Sequence, residues 1–306
     1  MIIFQIGGTC QSAFDSGGPF YHVCTNGHLQ DIIFTCDEDF VTAINFLAYA
    51  AWIHGIRILT FVIMSNHVHF ILAGDKKTCE DMFLSFKKKL DRYFRKKGRP
   101  GSLASFSCED PILIDSLEML RCEIAYVIRN PFAASKNFLP YTYRWSNGYV
   151  IFNHMVSSSD SIPFNDLKYN EKRAITQSRA VSLPDGYLVR NSCIAPECFT
   201  QWRFVEALFE NASQFYYYLN KNVESYSSIA KRLGDSACLN DEELFPVACN
   251  ISKEKFGDKK IKELSFQEKV SLARILHFDY FSNKKQLKRI LKLDFQVLDE
   301  LFPSKE

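Results

Sequence analysis

Two histidines at alternate positions, His67 and His69, are the residues of this chain whose types and spacing most directly suggest chemistry. They lie where β-branched and aromatic runs predict two adjacent strands, at residues 56–64 and 67–73. Side chains two residues apart on a strand project from the same face, so the two imidazoles would stand side by side. Paired imidazole nitrogens are common metal ligands. The alternative interpretation is two histidines that are exposed or hydrogen-bonded at a sheet edge.

A tyrosine further along the chain, Tyr126, lies on the side of a predicted helix that the apolar residues of that helix avoid. The helix is predicted to begin after residue 115 or 116 and to end near Arg129, because a proline follows at position 131. At about 100° per residue, Tyr126 lies roughly 150° from the centre of the apolar stripe, and Asn130 follows one turn later on the same side. From the residues alone, Tyr126 is more typical of a half-buried surface residue than of a reactive one.

The elements that must position these residues predict an α+β fold. The predicted elements are, in chain order, a hairpin at 20–34, a helix at 37–54, strands at 56–64 and 67–73, and helices at 78–97 and 115–129. Gly55 ends the first helix, and the Asn26-Gly27 pair is a tight-turn signal for the hairpin. An order of strand, helix, strand, strand, helix, helix predicts a small antiparallel sheet covered by helices.

The second half of the chain predicts a separate, mostly helical region. A polar stretch with a proline at 157–163 is typical of a linker, so the predicted domains are 1–153 and 154–306. An aromatic-rich helix at 199–219 is expected to be buried core, with base stacking as the less favoured alternative. Three short helices near the end, at 266–278, 284–291 and 295–302, loosely resemble a helix-turn-helix. The third contains acids and no Lys or Arg, which favours packing or a protein contact there.

The net charge of +2 is unevenly distributed. Residues 75–103 contain ten Lys or Arg against four Asp or Glu, and residues 253–292 contain twelve against five. Two basic islands on an otherwise acidic chain are typical of a nucleic-acid footprint, and equally of two solvated helix faces. The helix at 78–97 is the candidate for contacts with DNA phosphates. Its candidate residues are Lys87, Lys88, Lys89, Arg92, Arg95, Lys96 and Lys97.

The cysteines and the apolar runs exclude two other classes of protein. Ten cysteines are scattered through a long chain without CxxC pairs, which indicates reduced thiols, and Cys193 and Cys198 are interpreted as packing residues. No apolar run reaches the roughly 20 residues that a bilayer requires, and the N-terminus has no signal-peptide pattern. These features predict a cytoplasmic protein with no membrane partner.

The context of the histidine pair resembles a known family. Residues 61–72, Phe-Val-Ile-Met-Ser-Asn-His-Val-His-Phe-Ile-Leu, are similar to the HUH signature (histidine, hydrophobic, histidine) of the single-tyrosine transposases, particularly their REP-associated branch. Residues 125–131, Ala-Tyr-Val-Ile-Arg-Asn-Pro, resemble that family's segment with the nucleophilic tyrosine. The first strand with its Thr25-Asn26-Gly27 turn, and Trp145-Ser146, also match. The resemblance covers roughly residues 20–152.

This resemblance implies a fold and a reaction. The fold would be a ferredoxin-like or RRM-like HUH domain, and the reaction would be cleavage and rejoining of single-stranded or hairpin DNA through a 5′-phosphotyrosine on Tyr126. His67, His69 and the side-chain oxygen of Asn130 would hold Mg²⁺ or Mn²⁺, although imidazole ligands suit Zn²⁺ equally. Relatives in the family include dimers, so a homodimer is a further expectation.

Departures from the family pattern leave two alternatives open. The family's Asn-Arg-Gly turn lacks its arginine here, and Asn130-Pro131 is followed by Phe132 instead of valine, although neither change affects the expected ligands. One alternative is a regulator that binds DNA hairpins with the same fold but does not cut. The other is a zinc-dependent hydrolase, which would need a third ligand and a general base, for which Glu123 is the candidate.

Overall fold

The computed structural model describes residues 9–25, 32–108, 110–134, 139–153, 160–179, 182–221, 223–233, 239, 241–280 and 282–303. Its helices are α1 Cys10–Gly17, α2 Asp37–His54, α3 Lys76–Lys96, α4 Leu117–Ala134, α5 Tyr169–Thr176, α6 Pro196–Phe199, α7 Trp202–Ala207, α8 Ala212–Lys221, α9 Val223–Leu233, α10 Asp241–Phe256, α11 Phe266–Phe278, α12 Lys284–Leu291 and α13 Phe295–Leu301. Its strands are β1 Phe20–Cys24, β2 Arg57–Ile63, β3 Val68–Ala73, β4 Ile112–Ile114, β5 Ile162–Pro163, β6 Leu188–Arg190 and β7 Cys193–Ile194. Within these ranges, no helix combines the length and the apolar character that a membrane span requires.

Four strands form an antiparallel sheet in the order β2-β3-β1-β4. In its centre Cys24 of β1 pairs directly with His69 of β3, and Val23 pairs with Phe70. The strands are rich in β-branched and aromatic residues, and β2 and β3 are buried along almost their whole length. The predicted α+β class with a small antiparallel sheet is confirmed.

Helices α3 and α4 cover opposite faces of this sheet. The ring of Phe70 lies 5.4 Å from the ring of Phe86 on α3. The ring of its neighbour His69 lies 5.6 Å from the ring of Tyr126 on α4. Because successive side chains of a strand point to opposite faces, α3 lies on the Phe70 face and α4 on the His69 face. Helix α3, which contains the basic residues, and helix α4, which contains Tyr126, are therefore separated by the thickness of the sheet.

Helices α2 and α4 end differently. Helix α2 ends as predicted at Gly55, whose left-handed φ of 65° lets its N–H bond to the carbonyls of Ala51 and Trp52. Helix α4 was expected to end near Arg129, and that expectation is wrong, because the helix continues through Pro131 to Ala134. A proline close to a helix end removes one backbone hydrogen-bond donor but does not have to end the helix. Asn130 is therefore helical and lies one turn after Tyr126.

The expected hairpin at 20–34 is only partly present. Its turn, Asn26-Gly27, lies outside the described residues. Strand β1 pairs with β3 and β4, and residues 32–35 form no strand. The backbone N–H groups of Ile33 and Phe34 instead donate to the carbonyl of Ser65, in the loop between β2 and β3.

The first compact unit comprises residues 1–131 and 138–221, so it extends beyond the expected domain boundary at 153/154. A three-stranded sheet, β5-β6-β7, lies in the region that was expected to be mostly helical. The Asn45 side chain of α2 holds β7 in place: its Nδ2 donates to the Ser192 carbonyl at 2.9 Å, and its Oδ1 accepts from the Ile194 N–H at 2.7 Å. Strands of two or three residues are too short to show an alternating pattern in the sequence.

The second compact unit, residues 132–137 and 222–306, is helical in its described part. Helix α11 begins at the predicted capping box, in which the Ser265 hydroxyl accepts from the Glu268 N–H. Leu272, Leu276 and Leu298 are buried together in its core. The predicted bounds of α11 and α12 are confirmed, and α13 ends one residue earlier than expected.

Candidate metal-binding and nucleophile site

Three histidines meet on the α4 face of the sheet. His69 lies in β3 opposite Cys24, and His22 lies two residues before Cys24 on the same face of β1. His67 was expected in the strand, but it precedes β3 in a loop closed by the Met64 N–H bond to the His67 carbonyl at 2.8 Å. The two imidazoles of the predicted pair still lie side by side, with ring centroids 5.0 Å apart and planes at 89°.

The amide of Asn130 bridges the predicted histidine pair. Its Oδ1 lies 3.3 Å from Nε2 of His67, and its Nδ2 lies 3.3 Å from Nε2 of His69. Ligands bonded at about 2.1 Å to one cation lie about 3.0 to 3.4 Å from one another. The His67 nitrogen and the Asn130 oxygen therefore lie at the spacing that a shared cation requires, and the Asn130 amide also lies next to Nε2 of His69.

Tyr126 lies beside these residues in the same chain. Its ring centroid is 5.6 Å from that of His69 and 6.3 Å from that of His22. The side chain is only 5% exposed, so the interpretation of Tyr126 as a half-buried surface residue is wrong. Helix α4 is buried on its polar side as well as on its apolar stripe, because its polar side packs over the histidines.

A buried pair, Glu123 and His22, supports His69. Oε2 of Glu123 contacts Nδ1 of His22, and both side chains are fully buried. Nε2 of His22 lies 3.0 Å from Nδ1 of His69. With the carboxylate accepting from His22 Nδ1–H, a neutral His22 accepts at Nε2 from His69 Nδ1–H. This assignment leaves Nε2 of His69 as the acceptor that faces the Asn130 amide.

His22, Cys24 and His69 form a second group that can hold a metal ion. One ligand atom from each of these residues lies within 4.8 Å of the other two. The alternation of His22 and Cys24 along the first strand was the available signal in the sequence. The register that places Cys24 opposite His69 could not be predicted from the sequence. His69 belongs to both candidate ligand sets, through different ring nitrogens.

The predicted DNA-contacting residues of α3 do not converge with this site. Several of them form contacts within the protein. Lys97 forms ion pairs with Glu38 at 3.0 Å and with Asp39 at 2.9 Å, and Lys89 donates to the Thr176 carbonyl at 2.7 Å. Arg95 contacts Asp91 within its own helix. Lys87 is half-buried. The exposed remainder of the predicted set is Lys88, Arg92 and Lys96.

A cleft of about 920 Å³ opens beside α3, on the face away from Tyr126. Exposed cations from α3, from α5 and from the residues after α5 line it, and among its described lining residues Glu38 is the single acid. These cations are Arg92, Lys96, Arg173 and Arg179. Burial, and then the positive charge of Arg92, lower the pKa of Lys89 in the cleft wall to about 8. The cleft is therefore cationic, and its charge suits phosphate groups.

The candidate site is built from three elements, β1, β3 and α4, and from the loop before β3. Its residues were predicted in part, as His67, His69, Tyr126 and Asn130. The structure adds His22 and Cys24, and it places Glu123, the candidate general base of the hydrolase alternative, against His22. No protein-family model, no curated protein and no solved structure matches the chain.

Proposed function

We propose that this protein cleaves and rejoins single-stranded DNA, with Tyr126 as the nucleophile and a divalent cation held by His67, His69 and Asn130. The observation that carries the proposal is the convergence of four side chains within one chain. The Asn130 amide lies 3.3 Å from both histidines, and Tyr126 lies one helical turn before Asn130, with its ring against His69. Binding alone would need none of these residue types at this spacing.

The topology supports the same proposal. The order β1-α2-β2-β3-α3-β4, with sheet order β2-β3-β1-β4, corresponds to the split βαβ arrangement of ferredoxin-like folds. A ferredoxin-like domain is what the resemblance to single-tyrosine HUH transposases implies. The proposal therefore extends to membership of that family, with residues 1–153 forming the HUH domain.

The donor set fits Mn²⁺ well and Mg²⁺ acceptably. Two imidazole nitrogens suit transition metals, while the amide oxygen of Asn130 is a ligand that the harder ions also accept. When bound, such an ion would neutralise charge on the non-bridging oxygens of a phosphodiester. His22 and Glu123 would hold the His69 ring in the orientation that presents Nε2 to the ion.

The roles of the chain's own residues follow from phosphodiester chemistry. Tyr126 loses its phenolic proton, its oxygen bonds to phosphorus, and the 3′-oxygen of the preceding nucleotide leaves and takes up a proton. The product is a 5′-phosphotyrosine and a free 3′-hydroxyl. Because the covalent bond retains the energy of the phosphodiester, a second 3′-hydroxyl can reverse the step without ATP.

Burial of Tyr126 sets a condition on this function. DNA must reach a side chain that is 5% exposed, and the partly exposed residues beside it are His67 and Asn130. The proposal therefore includes movement of the Tyr126 side chain when DNA binds next to them. The same burial favours the alternative function, a DNA-hairpin-binding regulator that retains the fold but does not cut.

A zinc-dependent hydrolase is less well supported. Its general base would be Glu123, but the carboxylate of Glu123 is fully buried against His22. In that position Glu123 suits orientation of an imidazole better than activation of a water molecule.

The test uses a pool of hairpin oligonucleotides with randomised single-stranded flanks, labelled at the 3′ end, because the 3′ fragment stays attached to the tyrosine. With Mn²⁺, we expect a labelled adduct that survives denaturing electrophoresis. Tyr126→Phe should abolish the adduct, while Tyr141→Phe, which alters a phenol that is 41% exposed outside the site, should leave it intact. DNA binding without an adduct in the unaltered chain would favour the regulator, and an adduct in Tyr126→Phe would remove Tyr126 from the mechanism.

A further inference from the structure

We propose that His22, Cys24 and His69 form a binding site for Zn²⁺, and that Zn²⁺ bound there excludes the ion held by His67, His69 and Asn130. The first statement concerns a second ligand set, which shares His69 with the one that the cleavage reaction uses. The second rests on the proposed function, because it assigns zinc the role of an inhibitor of that reaction.

The sheet builds this site rigidly. His22 and Cys24 lie two residues apart on β1 and therefore on one face, and His69 is the cross-strand partner of Cys24. Just beyond Cys24, the Thr25 N–H donates to the Val68 carbonyl at 3.1 Å, and the Thr25 hydroxyl accepts from the Val68 N–H at 3.2 Å. The backbone next to Cys24 and His69 is thus fixed by hydrogen bonds.

The contact between Glu123 and His22 is the kind that supports a zinc ligand. Histidines that bind zinc usually donate their other ring N–H to a carboxylate, which fixes the tautomer and makes the ligating nitrogen more basic. Here Glu123 occupies Nδ1 of His22, so Nε2 of His22 points to His69. A carboxylate–histidine pair of this kind is already assembled at the centre of the site.

The distances match zinc after a small movement of one side chain. Tetrahedral zinc, bonded at about 2.0 Å to nitrogen and about 2.3 Å to sulfur, sets its ligands about 3.3 to 3.6 Å apart. The two ring nitrogens are 3.0 Å apart, and the whole set lies within 4.8 Å. Cys24 must therefore close by about 1 Å. The combination of one thiolate and two imidazoles selects zinc over magnesium or manganese.

Protons account for the exclusion. On zinc binding, the Cys24 thiol releases its proton, and the proton on Nδ1 of His69 moves to Nε2, because a neutral imidazole has only one acceptor nitrogen. Nε2 of His69 is the atom that lies 3.3 Å from Asn130. Once protonated, Nε2 of His69 can no longer accept from Nδ2 of Asn130, so the amide turns over and its oxygen accepts from His69 instead of facing His67. Two of the three ligands of the other ion are thereby lost together.

The binding test uses Co²⁺ as the spectroscopic probe with the reduced, metal-stripped chain of residues 1–306. We expect a near-ultraviolet band from thiolate-to-cobalt charge transfer that saturates at one equivalent and is displaced by Zn²⁺. Cys24→Ser should remove the band, while Cys36→Ser, at an exposed cysteine, and Asn130→Ala should retain it. A band that persists in Cys24→Ser, or no band in the unaltered chain, overturns the site. If Cys24→Ser does not fold, the decisive result is whether Zn²⁺ protects Cys24 from alkylation in the unaltered chain.

The exclusion test measures Mn²⁺ binding from the electron paramagnetic resonance signal of Mn²⁺ in solution. One equivalent of Zn²⁺ should weaken Mn²⁺ binding at least about tenfold in the unaltered chain, and less than about twofold in Cys24→Ser. Equal effects in both proteins, or no Mn²⁺ binding at all, overturn the exclusion. A cobalt band without any DNA adduct would refute the cleavage reaction and leave the zinc site standing, so the two failures are distinguishable.

Discussion

Glu123 of α4 contacts Nδ1 of His22 on β1, and both side chains are completely shielded from solvent. This contact joins the tyrosine helix to the central strands of the sheet at the point where His69 also meets His22, at 3.0 Å. Glu123 therefore links the packing of α4 to the orientation of a proposed metal ligand. Substitutions at Glu123 test the packing role.

Glu123→Ala should lower the free energy of unfolding by about 2 to 4 kcal/mol, because it leaves the Nδ1 atom of His22 buried without its carboxylate. Glu123→Gln keeps the shape and an acceptor oxygen, so its loss should be about 1 kcal/mol. Urea denaturation followed by tryptophan fluorescence measures the change. All three tryptophans, Trp52, Trp145 and Trp202, lie in the same compact unit as Glu123.

Glu118→Ala is the matched control on the same helix. Its side chain is 63% exposed, so the expected change is below about 1 kcal/mol. A loss in Glu123→Ala no larger than that in Glu118→Ala would contradict the structural role of the buried contact.

The parts of the site that could be predicted from the sequence are those set by local periodicity. The adjacency of His67 and His69 was predicted from alternation, although His67 lies in the loop just before β3, and the relation of Tyr126 to Asn130 follows from one helical turn. The same reasoning placed α2 correctly, because an apolar face and a terminal glycine are local signals.

The remaining site residues depend on contacts between distant segments. His22 and Cys24 become ligand candidates only through the pairing of β1 with β3, and Glu123 only through the packing of α4 on the sheet. Neither the strand register nor the helix packing can be predicted from one short segment, because both depend on residues far apart in the chain. The continuation of α4 past Pro131 was missed for a similar reason, because tertiary burial of the helix outweighed one lost backbone bond.

Acid should lower the free energy of unfolding partly through Asp39. The carboxylate of Asp39 is fully buried and contacts Lys97 and Arg99. Burial raises its pKa, but hydrogen bonds from Thr35, Lys97 and Tyr93 outweigh burial and hold the pKa well below its ordinary value of 3.8. The stabilisation is present above pH 3.8 and is lost as the pH falls through the lower folded pKa.

Asp39→Asn should therefore lose about 2 kcal/mol of unfolding free energy at pH 7, and its difference from the unaltered chain should shrink below pH 4. Urea denaturation at a series of pH values measures this. The neighbouring Glu38→Gln, at a side chain that is 69% exposed, should lose less than about 0.5 kcal/mol at any pH. A difference for Asp39→Asn that stays constant from pH 7 to pH 3 would refute the assignment.

Lys89 should titrate at an unusually low pH for a lysine. Burial and the charge of Arg92 lower its pKa to about 8, below the ordinary 10.5, so the folded chain binds fewer protons than the unfolded chain between these values. Its contribution to stability should accordingly rise as the pH increases through that window. Carbon-13 NMR of labelled lysine side chains should show one resonance titrating near pH 8 that disappears in Lys89→Arg. No such resonance in the unaltered chain would contradict the burial of the amine.

Arg92 and Lys96 of α3 lie on the sheet face opposite Tyr126, so their effect on DNA binding can be tested separately from the histidine site. If they contact phosphates, replacing both with glutamine should weaken binding of single-stranded DNA. The slope of log K against log salt should fall by about 1.4, since each phosphate contact contributes about 0.7. Fluorescence anisotropy across a salt series measures the slope.

The cobalt band of the histidine site should not change in this double variant, because the sheet separates the two regions. Lys76 and Lys77, at the other end of α3, provide the matched control pair, since they contact Asp110 and Asp81 within the protein. Replacing both with glutamine should alter the slope by less than the Arg92 and Lys96 pair does. Equal slopes in the two double variants would show that DNA follows the net charge of the helix and not the cleft. A changed cobalt band would show that the two faces of the sheet are coupled.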